Sequence, residues 1–246
     1  MSNLANRMKS YESHETHRRL IPFLPIYIRI DGRAFHHFTR EMDRPYDSRM
    51  SEAMIETTKA LVQETDALIG YTQSDEINLV LYTENKLSQG YFEGKIFKIT
   101  SVLAGYTSSV FLLNYIKMFN VDPLTTIDPL PAFDCRVFNL PSQTETANML
   151  LWRELDATRN AIHAAARSVY SQAELQNKSQ SELQDMLFEK GINFNDYPAA
   201  FKRGTFVRKV AREVVTIDMP IFLKVTNREA VIFQGTEPIK EKNQEL

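Results

Sequence analysis

The sequence predicts an α+β fold in which helices pack against an antiparallel sheet. The first observation is a stretch of alternating apolar and polar residues followed by a long segment with helical spacing. The second is a hairpin pattern followed by another helical segment. Further helix and strand candidates occupy the C-terminal half. A strand, helix, hairpin, helix order is typical of this fold class.

The first strand is predicted in IYIRIDG, residues 26–32, where Ile26, Ile28 and Ile30 alternate with other residue types. A period of two indicates a strand with one buried face. Asp31 and Gly32 end this pattern. Both residue types are common in turns, so this fragment alone does not distinguish a turn from a functional acid.

Residues 48–64 are predicted to form a helix that packs on the sheet, because their apolar residues recur with helical spacing. Residues 67–82 follow as a hairpin with the polar sequence TQSDE at its turn. Residues 91–119 are predicted to form a second long helix with Lys95 and Lys98 on one face. The predicted buried residues of the two helices are Met50, Met54, Leu61, Val62, Val102, Phe111 and Leu112.

The C-terminal half is predicted to contain a strand at residues 133–140, a long helix that begins near Ser142, and a shorter helix that ends at Gly191. Residues 205–234 suggest strands, and the polar tail from residue 237 is expected to fray. The long helix is expected to bury Leu151, Leu155, Ile162, Ala166 and Val169, and to carry Arg153, Asp156, Asn160, His163 and Arg167 on another face.

Composition limits the classes of function. The chain has 246 residues, 29 bases and 31 acids, so nucleic-acid binding is expected to be local, with residues 202–212 as the densest basic segment. We expect a soluble, cytoplasmic protein without a membrane partner, because no apolar run approaches roughly 18 to 20 residues and the N-terminus is polar. The single cysteine, Cys135, excludes an intramolecular disulfide and a cysteine-based zinc site.

Acids from two remote segments can meet in one antiparallel sheet. Asp31 ends the first strand, while Asp75 and Glu76 lie at the hairpin. Neighbouring carboxylates repel each other, and Mg²⁺ between them keeps both ionised. Since adjacent residues of a strand point to opposite faces, we assign the metal to Asp75 and a supporting role, orienting a second metal or a proton, to Glu76.

Basic residues at suitable distances along the sequence can complete a triphosphate site. They are Arg29, Arg44, Lys95 and Lys98. Spacing alone favours a solvated helix surface for the two lysines, and His36 and His37 can be ordinary surface or packing residues. Gly32 has no side chain, so its carbonyl and a nucleotide can approach each other closely.

Six blocks in one order resemble the tRNA-His guanylyltransferase family: IRIDGRAFHHF, RPYDSR, GYTQSDEINLVL, FDCRVFNLPS, LLWRELD and KRGT. The chain is more similar to the bacterial and archaeal branch of guanylyltransferase-like proteins. The resemblance implies a core like the palm of polymerases, with a ferredoxin-like sheet, in residues 1–140. Residues 141–246 are then a helical and β extension that completes the same compact unit. A homotetramer is also implied.

The resemblance implies a set of site residues. Catalysis is expected from Asp31, Asp75 and Glu76, with two Mg²⁺ ions bound by Asp31, Asp75 and the backbone carbonyl of Gly32. Arg44 is expected to help activate the tRNA end. Nucleotide contacts are expected from Arg29, Gly32, Arg33, Ala34, Phe35, His36, Arg44, Ser74, Lys95 and Lys98, and tRNA contacts from Arg153, Asn160, Lys202, Arg203 and Arg208.

The implied reaction is addition of nucleotides to the 5′ end of tRNA, the reverse of the usual direction of growth, with ATP, GTP and other nucleoside triphosphates as substrates. Eukaryotic members carry His-Ile-Asn-Asn-Leu-Tyr-Asn where this chain has TRNAIHA, residues 158–164; only Asn160 coincides, and Ala164 replaces the last asparagine. This difference favours template-dependent repair of 5′-truncated tRNAs over addition of an extra guanosine to tRNA-His. A palm-type nucleotide cyclase and a non-catalytic binding module are the alternatives, and the RPYDSR, WRELD and KRGT blocks argue against the cyclase.

Overall fold

One sheet organises the protein, whose computed structural model describes residues 2–85, 90–122 and 124–241. Its strands are β1 Ile26–Gly32, β2 Ile69–Gln73, β3 Glu76–Leu81, β4 Phe133–Asn139, β5 Thr205–Val210 and β6 Glu213–Ile217. Their order is β4-β1-β3-β2-β5-β6, and all neighbours are antiparallel. This arrangement with its helices confirms the predicted α+β class.

Within the described ranges the helices are α1 Ser2–Thr16, α2 Phe35–Phe38, α3 Ser48–Thr65, α4 Ile96–Phe119, α5 Gln143–Arg167, α6 Gln172–Leu175, α7 Gln180–Glu189, α8 Ala199–Arg203 and α9 Arg228–Phe233. The elements β1, α3, β2, β3, α4 and β4 follow the β-α-β-β-α-β order of a ferredoxin-like unit. Strands β5 and β6 extend the same sheet, so residues on both sides of position 140 share it. The domain boundary at residue 140 stays a prediction.

Helices α3 and α4 cover one face of the sheet. The predicted stripe of α3, namely Met50, Met54, Leu61 and Val62, is buried there. The predicted buried face of α4 is displaced by one residue near the start of the helix, where Leu103 is buried and Val102 is not. Ile99, Leu103, Thr107 and Phe111 are buried at intervals of four residues, whereas Val102 is 37% exposed and Leu112 is half-buried.

Helix α5 covers the other face, so β1 is buried on both sides and not on one. Tyr27 is as inaccessible as Ile28 and Ile30. The predicted stripe of α5 was only partly right, because Leu155 is 47% exposed and Val169 lies beyond the helix end. The helix buries small residues as well as large ones, which apolar counting alone does not predict: its buried apolar positions are Ala147, Leu150, Ala157, Ala161, Ile162, Ala165 and Ala166.

Helix α4 corrects one expectation about membranes. By length and composition it is apolar enough to cross a bilayer, although no membrane is present in the structure. Counting uninterrupted apolar runs missed it, since Ser, Thr, Gly and Tyr interrupt the run yet lower the hydropathy of a helix only slightly. One face of α4 packs in the core with α3 and β4. Because core helices pass the same test, the finding assigns no location.

The segment after β6 also differs from its prediction. Strands were expected to residue 234, but Phe222–Lys224 forms a 3₁₀ turn and Arg228–Phe233 is helical. The tail was expected to fray from residue 237. Instead, Glu237 forms an ion pair with Arg208 at 2.6 Å, and the backbone of Lys240 pairs with that of Val225 in an isolated antiparallel β-bridge. Residues 242–246 of that tail lie outside the described residues.

Glu154 ties this C-terminal segment to α5. Its carboxylate is buried and accepts hydrogen bonds from the backbone N–H of Phe222 at 2.8 and 3.1 Å. Burial raises the pKa of Glu154 to about 7. The residue therefore positions the apolar C-terminal turn over the sheet by satisfying a buried backbone donor.

We expect Glu154→Ala to lower the free energy of unfolding by about 1–3 kcal/mol, because the N–H of Phe222 loses its acceptor inside the protein. Glu154→Gln keeps a carbonyl acceptor and should remain within about 1 kcal/mol of the native protein. Urea unfolding followed by circular dichroism measures both values. Equal losses for the two variants would show that the hydrogen bond is not what holds the segment.

Candidate active site

A cavity of about 570 Å³ opens where β1 and the β2–β3 hairpin end. It is the place where the predicted acids meet. The predicted site residues that line it are Arg29, Asp31, Gly32, Ala34, Phe35, His36, Arg44, Ser74, Asp75, Glu76, Arg153 and Asn160. A second cavity of about 620 Å³ lies at the opposite end of β1 and β3, and many of its lining residues are apolar, such as Leu20, Phe23 and Leu81.

Asp31 and Asp75 converge because the backbone joins their segments. The N–H of Gly32 donates to the carbonyl oxygen of Asp75 at 3.0 Å. A Cβ added to Gly32 would lie 2.4 Å from the Phe35 ring and 2.9 Å from the Cβ of Asp75. Only glycine therefore fits between the two acidic segments without displacing one of them.

The electrostatics of the pair reflect this proximity. Burial, followed by the charge of Asp31, raises the pKa of Asp75 to about 6. Burial and the charge of Glu76 raise the pKa of Asp31, although Arg29 partly offsets them. Both carboxyl groups have raised pKa values and lie in one cavity. A bound cation would stabilise their ionised forms.

The donor set suits a hard cation such as Mg²⁺, which binds through few protein carboxylates and completes its shell with water and phosphate oxygens. Asp31, Gly32 and Asp75 line the same cavity. The described part of the chain contains no group of three or more His, Cys, Asp or Glu side chains arranged for a metal. Any ion here would depend on oxygens beyond the two carboxylates, and magnesium stays a prediction.

Glu76 belongs to a buried ion network. Its carboxylate accepts two hydrogen bonds of 2.7 Å from Arg153 and pairs with Arg29 at 2.8 Å. Asn78 also donates to it at 2.8 Å. Arg29 in turn contacts Asp31 at 3.3 Å. Glu76 thus helps to orient Asp31 through Arg29, which contacts both carboxylates. The direct role of Glu76 in catalysis stays a prediction.

The predicted phosphate-binding residues are only partly brought together. Arg44 lies at the exposed rim, where its guanidinium donates to the Thr39 carbonyl at 3.1 Å. Lys95 and Lys98 do not line the cavity of a single chain. They lie at the N-terminal end of α4, where Lys95 pairs with Glu93 and Lys98 contacts the Phe92 ring. The expectation that they share this cavity is therefore not met within one chain.

The residues predicted to contact tRNA are also only partly brought together at the cavity. Asn160 and Arg153 line the cavity, although Arg153 is buried in an ion pair with Glu76. Arg208 lies outside the lining and is buried in an ion pair with Glu237. Lys202 donates to the Asn195 carbonyl, and Arg203 ends α8. Arg33 lies outside the cavity lining and is exposed. The nucleotide contact predicted for Arg33 stays a prediction, and so do the tRNA contacts predicted for the other five residues.

Sequence reasoning missed several residues of the site. Asp47 caps α3 and holds Arg49 at 2.6 Å, which explains part of the RPYDSR block as local structure. Its position directly before a predicted helix was a usable signal. Asp156 lines the cavity and pairs with Arg153 at 3.1 Å, three residues away on α5. That spacing was also visible in the sequence.

Comparison with known proteins agrees with this geometry. The family model for tRNAHis guanylyltransferase matches residues 5–141. The fold is similar to a bacterial tRNA(His) guanylyltransferase-like protein in complex with ATP, with 34% identity, a TM-score of 0.85, and coverage of 94% of this chain and 99% of that chain. For such a protein in complex with GTP the identity is 29% and the TM-score 0.76, over 94% of this chain and 98% of that one.

A curated relative gives the same result. The tRNA(His) guanylyltransferase of Saccharomyces cerevisiae is 29% identical over 222 residues, which cover 84% of this chain and 92% of the yeast protein. The family model spans more than half of the chain, and its match contains both Asp31 and Asp75. The chain therefore belongs to the tRNAHis guanylyltransferase family of nucleotidyltransferases.

Proposed function

We propose that this protein adds nucleotides to the 5′ end of tRNA in the 3′–5′ direction, and that its main reaction is template-dependent repair of 5′-truncated tRNAs. The observation that carries the proposal is the meeting of Asp31 and Asp75 in one cavity of about 570 Å³. That volume lies within the usual range for small-molecule sites. The ATP and GTP complexes of the bacterial relatives support a nucleoside triphosphate as the occupant.

We further propose that Asp31, Asp75 and the carbonyl of Gly32 bind two Mg²⁺ ions. When bound, magnesium neutralises phosphate charge and lowers the pKa of an attacking hydroxyl. The protein's own contribution is positioning. Glu76, itself held by Arg153, fixes Arg29, and Arg29 keeps Asp31 directed at the cavity.

The chemistry consists of two phosphoryl transfers. A 5′-monophosphate first attacks ATP, which forms an adenylylated RNA end and releases pyrophosphate; a 5′-triphosphate end needs no such activation. The 3′-hydroxyl of the incoming nucleoside triphosphate then attacks the 5′ phosphorus, a P–O bond forms, and AMP or pyrophosphate leaves. Arg44 at the rim has the charge to assist activation. Pairing with the opposite strand selects the base, so the protein needs no pocket for each nucleotide.

Addition of an extra guanosine to tRNA-His is the second candidate, because the yeast relative carries that name. The residues TRNAIHA at positions 158–164 favour repair, since they differ from the corresponding eukaryotic motif. A homotetramer in the cytoplasm is part of the same proposal, and it rests on the family resemblance.

The decisive experiment compares two RNA substrates with each nucleoside triphosphate in turn. We expect a tRNA that lacks its first 5′ nucleotide to be extended faster than full-length tRNA-His, with the incorporated base complementary to the opposite nucleotide. Changing that opposite base should change the incorporated nucleotide accordingly. Faster addition of guanosine to full-length tRNA-His, independent of the opposite base, would establish the second candidate instead.

Asp31→Ala and Asp75→Ala should each reduce nucleotide transfer by at least about a hundredfold, because each removes half of the carboxylate pair proposed to bind metal. The assay measures extension of a 5′-triphosphorylated RNA. Asp185→Ala is the matched control, since Asp185 is exposed on α7 and does not line the cavity. It should stay within a few-fold of the native rate. Full activity in either alanine variant would refute the metal assignment.

The raised pKa of Asp75 predicts a pH-dependent stability of the metal-free protein. Because the folded state holds the proton of Asp75 up to a pKa of about 6, compared with an ordinary value of 3.8, the contribution of Asp75 to stability is full below about pH 4 and is lost as pH rises through 6. In EDTA at pH 8, Asp75→Asn should therefore be more stable than the native protein by up to about 3 kcal/mol.

Urea unfolding at pH 4 and pH 8 tests this prediction. The advantage of Asp75→Asn should disappear at pH 4, where the native carboxyl is protonated. Asp185→Asn, at an exposed position of α7, should differ from the native protein by less than about 0.5 kcal/mol at both pH values. A constant difference for Asp75→Asn at the two pH values would show that desolvation of the carboxylate is not its cause.

A further inference from the structure

One face of α5 runs along the outside of the catalytic cavity, and the reaction described above does not use it. We define the α5 face as Trp152, Asp156, Arg159, His163 and Arg167. Trp152, the only tryptophan of the chain, is 51% exposed, and the Arg159 side chain is 54% exposed. An indole and guanidinium groups are therefore accessible to a ligand on this face.

Helical geometry aligns these side chains into a track. They are three or four residues apart, which places them on one side of the helix at steps of about 6 Å. From Trp152 to Arg167 the track is about 22 Å long. It borders the cavity, because its Asp156 lines the cavity together with Asn160 and Ala164 of the same helix.

The track carries net positive charge. Asp156 is the one acid among its five positions, and Arg153 and Arg159 both pair with it. Burial, and then the nearby charges of Arg167 and Arg159, lower the pKa of His163. The two arginines therefore lie close enough to His163 to disfavour its protonation. At the far end His163 and Arg167 line a small depression with Gln172 and Gln176.

Trp152 adds a feature that simple charge does not explain. Its ring contacts the guanidinium of Arg153 at 4.5 Å, and Arg153 is itself fixed by Glu76. The indole is therefore held at a defined place next to the cavity while remaining half exposed. A fixed aromatic ring beside exposed arginines is the combination that binds single-stranded or terminal nucleotides by stacking.

We propose that the α5 face binds the RNA strand next to the 5′ end, with Arg159, His163 and Arg167 contacting backbone phosphates and Trp152 stacking on a base. The inference rests on the proposed function, to which it adds the RNA contacts of the site. RNA fits better than an acidic protein, because an exposed indole accompanies the two arginines and the track borders the nucleotide cavity.

The first test measures RNA binding of the full-length protein over a range of salt concentrations. The probe is a short RNA hairpin with a 5′-monophosphate. Arg159→Gln/Arg167→Gln should bind it at least about tenfold more weakly and lower the slope of log affinity against log salt by about one for each arginine. Asp156 keeps its contact with Arg153 in this variant, so the network behind the cavity is preserved.

Lys9→Gln/Lys117→Gln is the matched control, because it removes the same charge from exposed positions on α1 and α4. It should leave affinity and slope close to native values. In extension assays the arginine variant should raise KM for the RNA and leave KM for ATP unchanged. A general folding defect would alter both constants, and circular dichroism checks the fold directly.

Tryptophan fluorescence provides the second test, since Trp152 is the only source of the signal. Binding of the RNA hairpin should quench it, whereas ATP alone should change it little. Trp152→Leu should weaken RNA binding without changing the salt slope, because stacking releases no counterions.

Native affinity and native slope in Arg159→Gln/Arg167→Gln would overturn the proposal. So would arginine-dependent binding of polyglutamate with no binding of RNA, which would identify an acidic protein as the partner. These binding measurements need no catalysis. A native protein that binds RNA through the track but extends no 5′ end would refute the proposed function and leave this inference standing.

Discussion

The site depends on bringing two carboxylates close together in a partly desolvated cavity. Asp31 and Asp75 come from segments that a single backbone hydrogen bond joins, and Gly32 leaves no room for any larger residue between them. Burial and repulsion raise the pKa of Asp75 to about 6, so the protein bears a cost in stability for the geometry. Such a cost is expected where function requires like charges to meet.

A second set of charges holds that arrangement in place. Glu76 is buried, and a buried carboxylate is tolerated only when it is paired and hydrogen-bonded. Arg153 from α5 and Arg29 from β1 supply those partners. Because Arg29 also contacts Asp31, the orientation of a cavity acid depends on a helix packed on the far side of the strand. The extension after residue 140 is thereby part of the site's support.

Helix α5 has a different task on each side. Its buried side uses alanines to lie close to the sheet and uses Glu154 to fix the C-terminal turn. Arg153 and Asp156 border the cavity, and the α5 face continues outward with Trp152 and three basic side chains. One rigid helix can therefore keep the cavity and the proposed RNA-binding face at a constant separation, since helices deform little along their length.

The sequence by itself determined the α+β class, most of the first four strands and the helices between them, and the two aspartates as candidates, because alternation, helical spacing and strand-ending acids are local signals. It misjudged α4, the stripe of α5 and the residues after β6, where small or interrupted apolar patterns leave the buried side open. Only the tertiary structure decided that Arg29 and Arg153 are the partners of Glu76, and that Lys95 and Lys98 lie outside the cavity. Those outcomes depend on which side chains from remote segments become neighbours, and no local pattern encodes that.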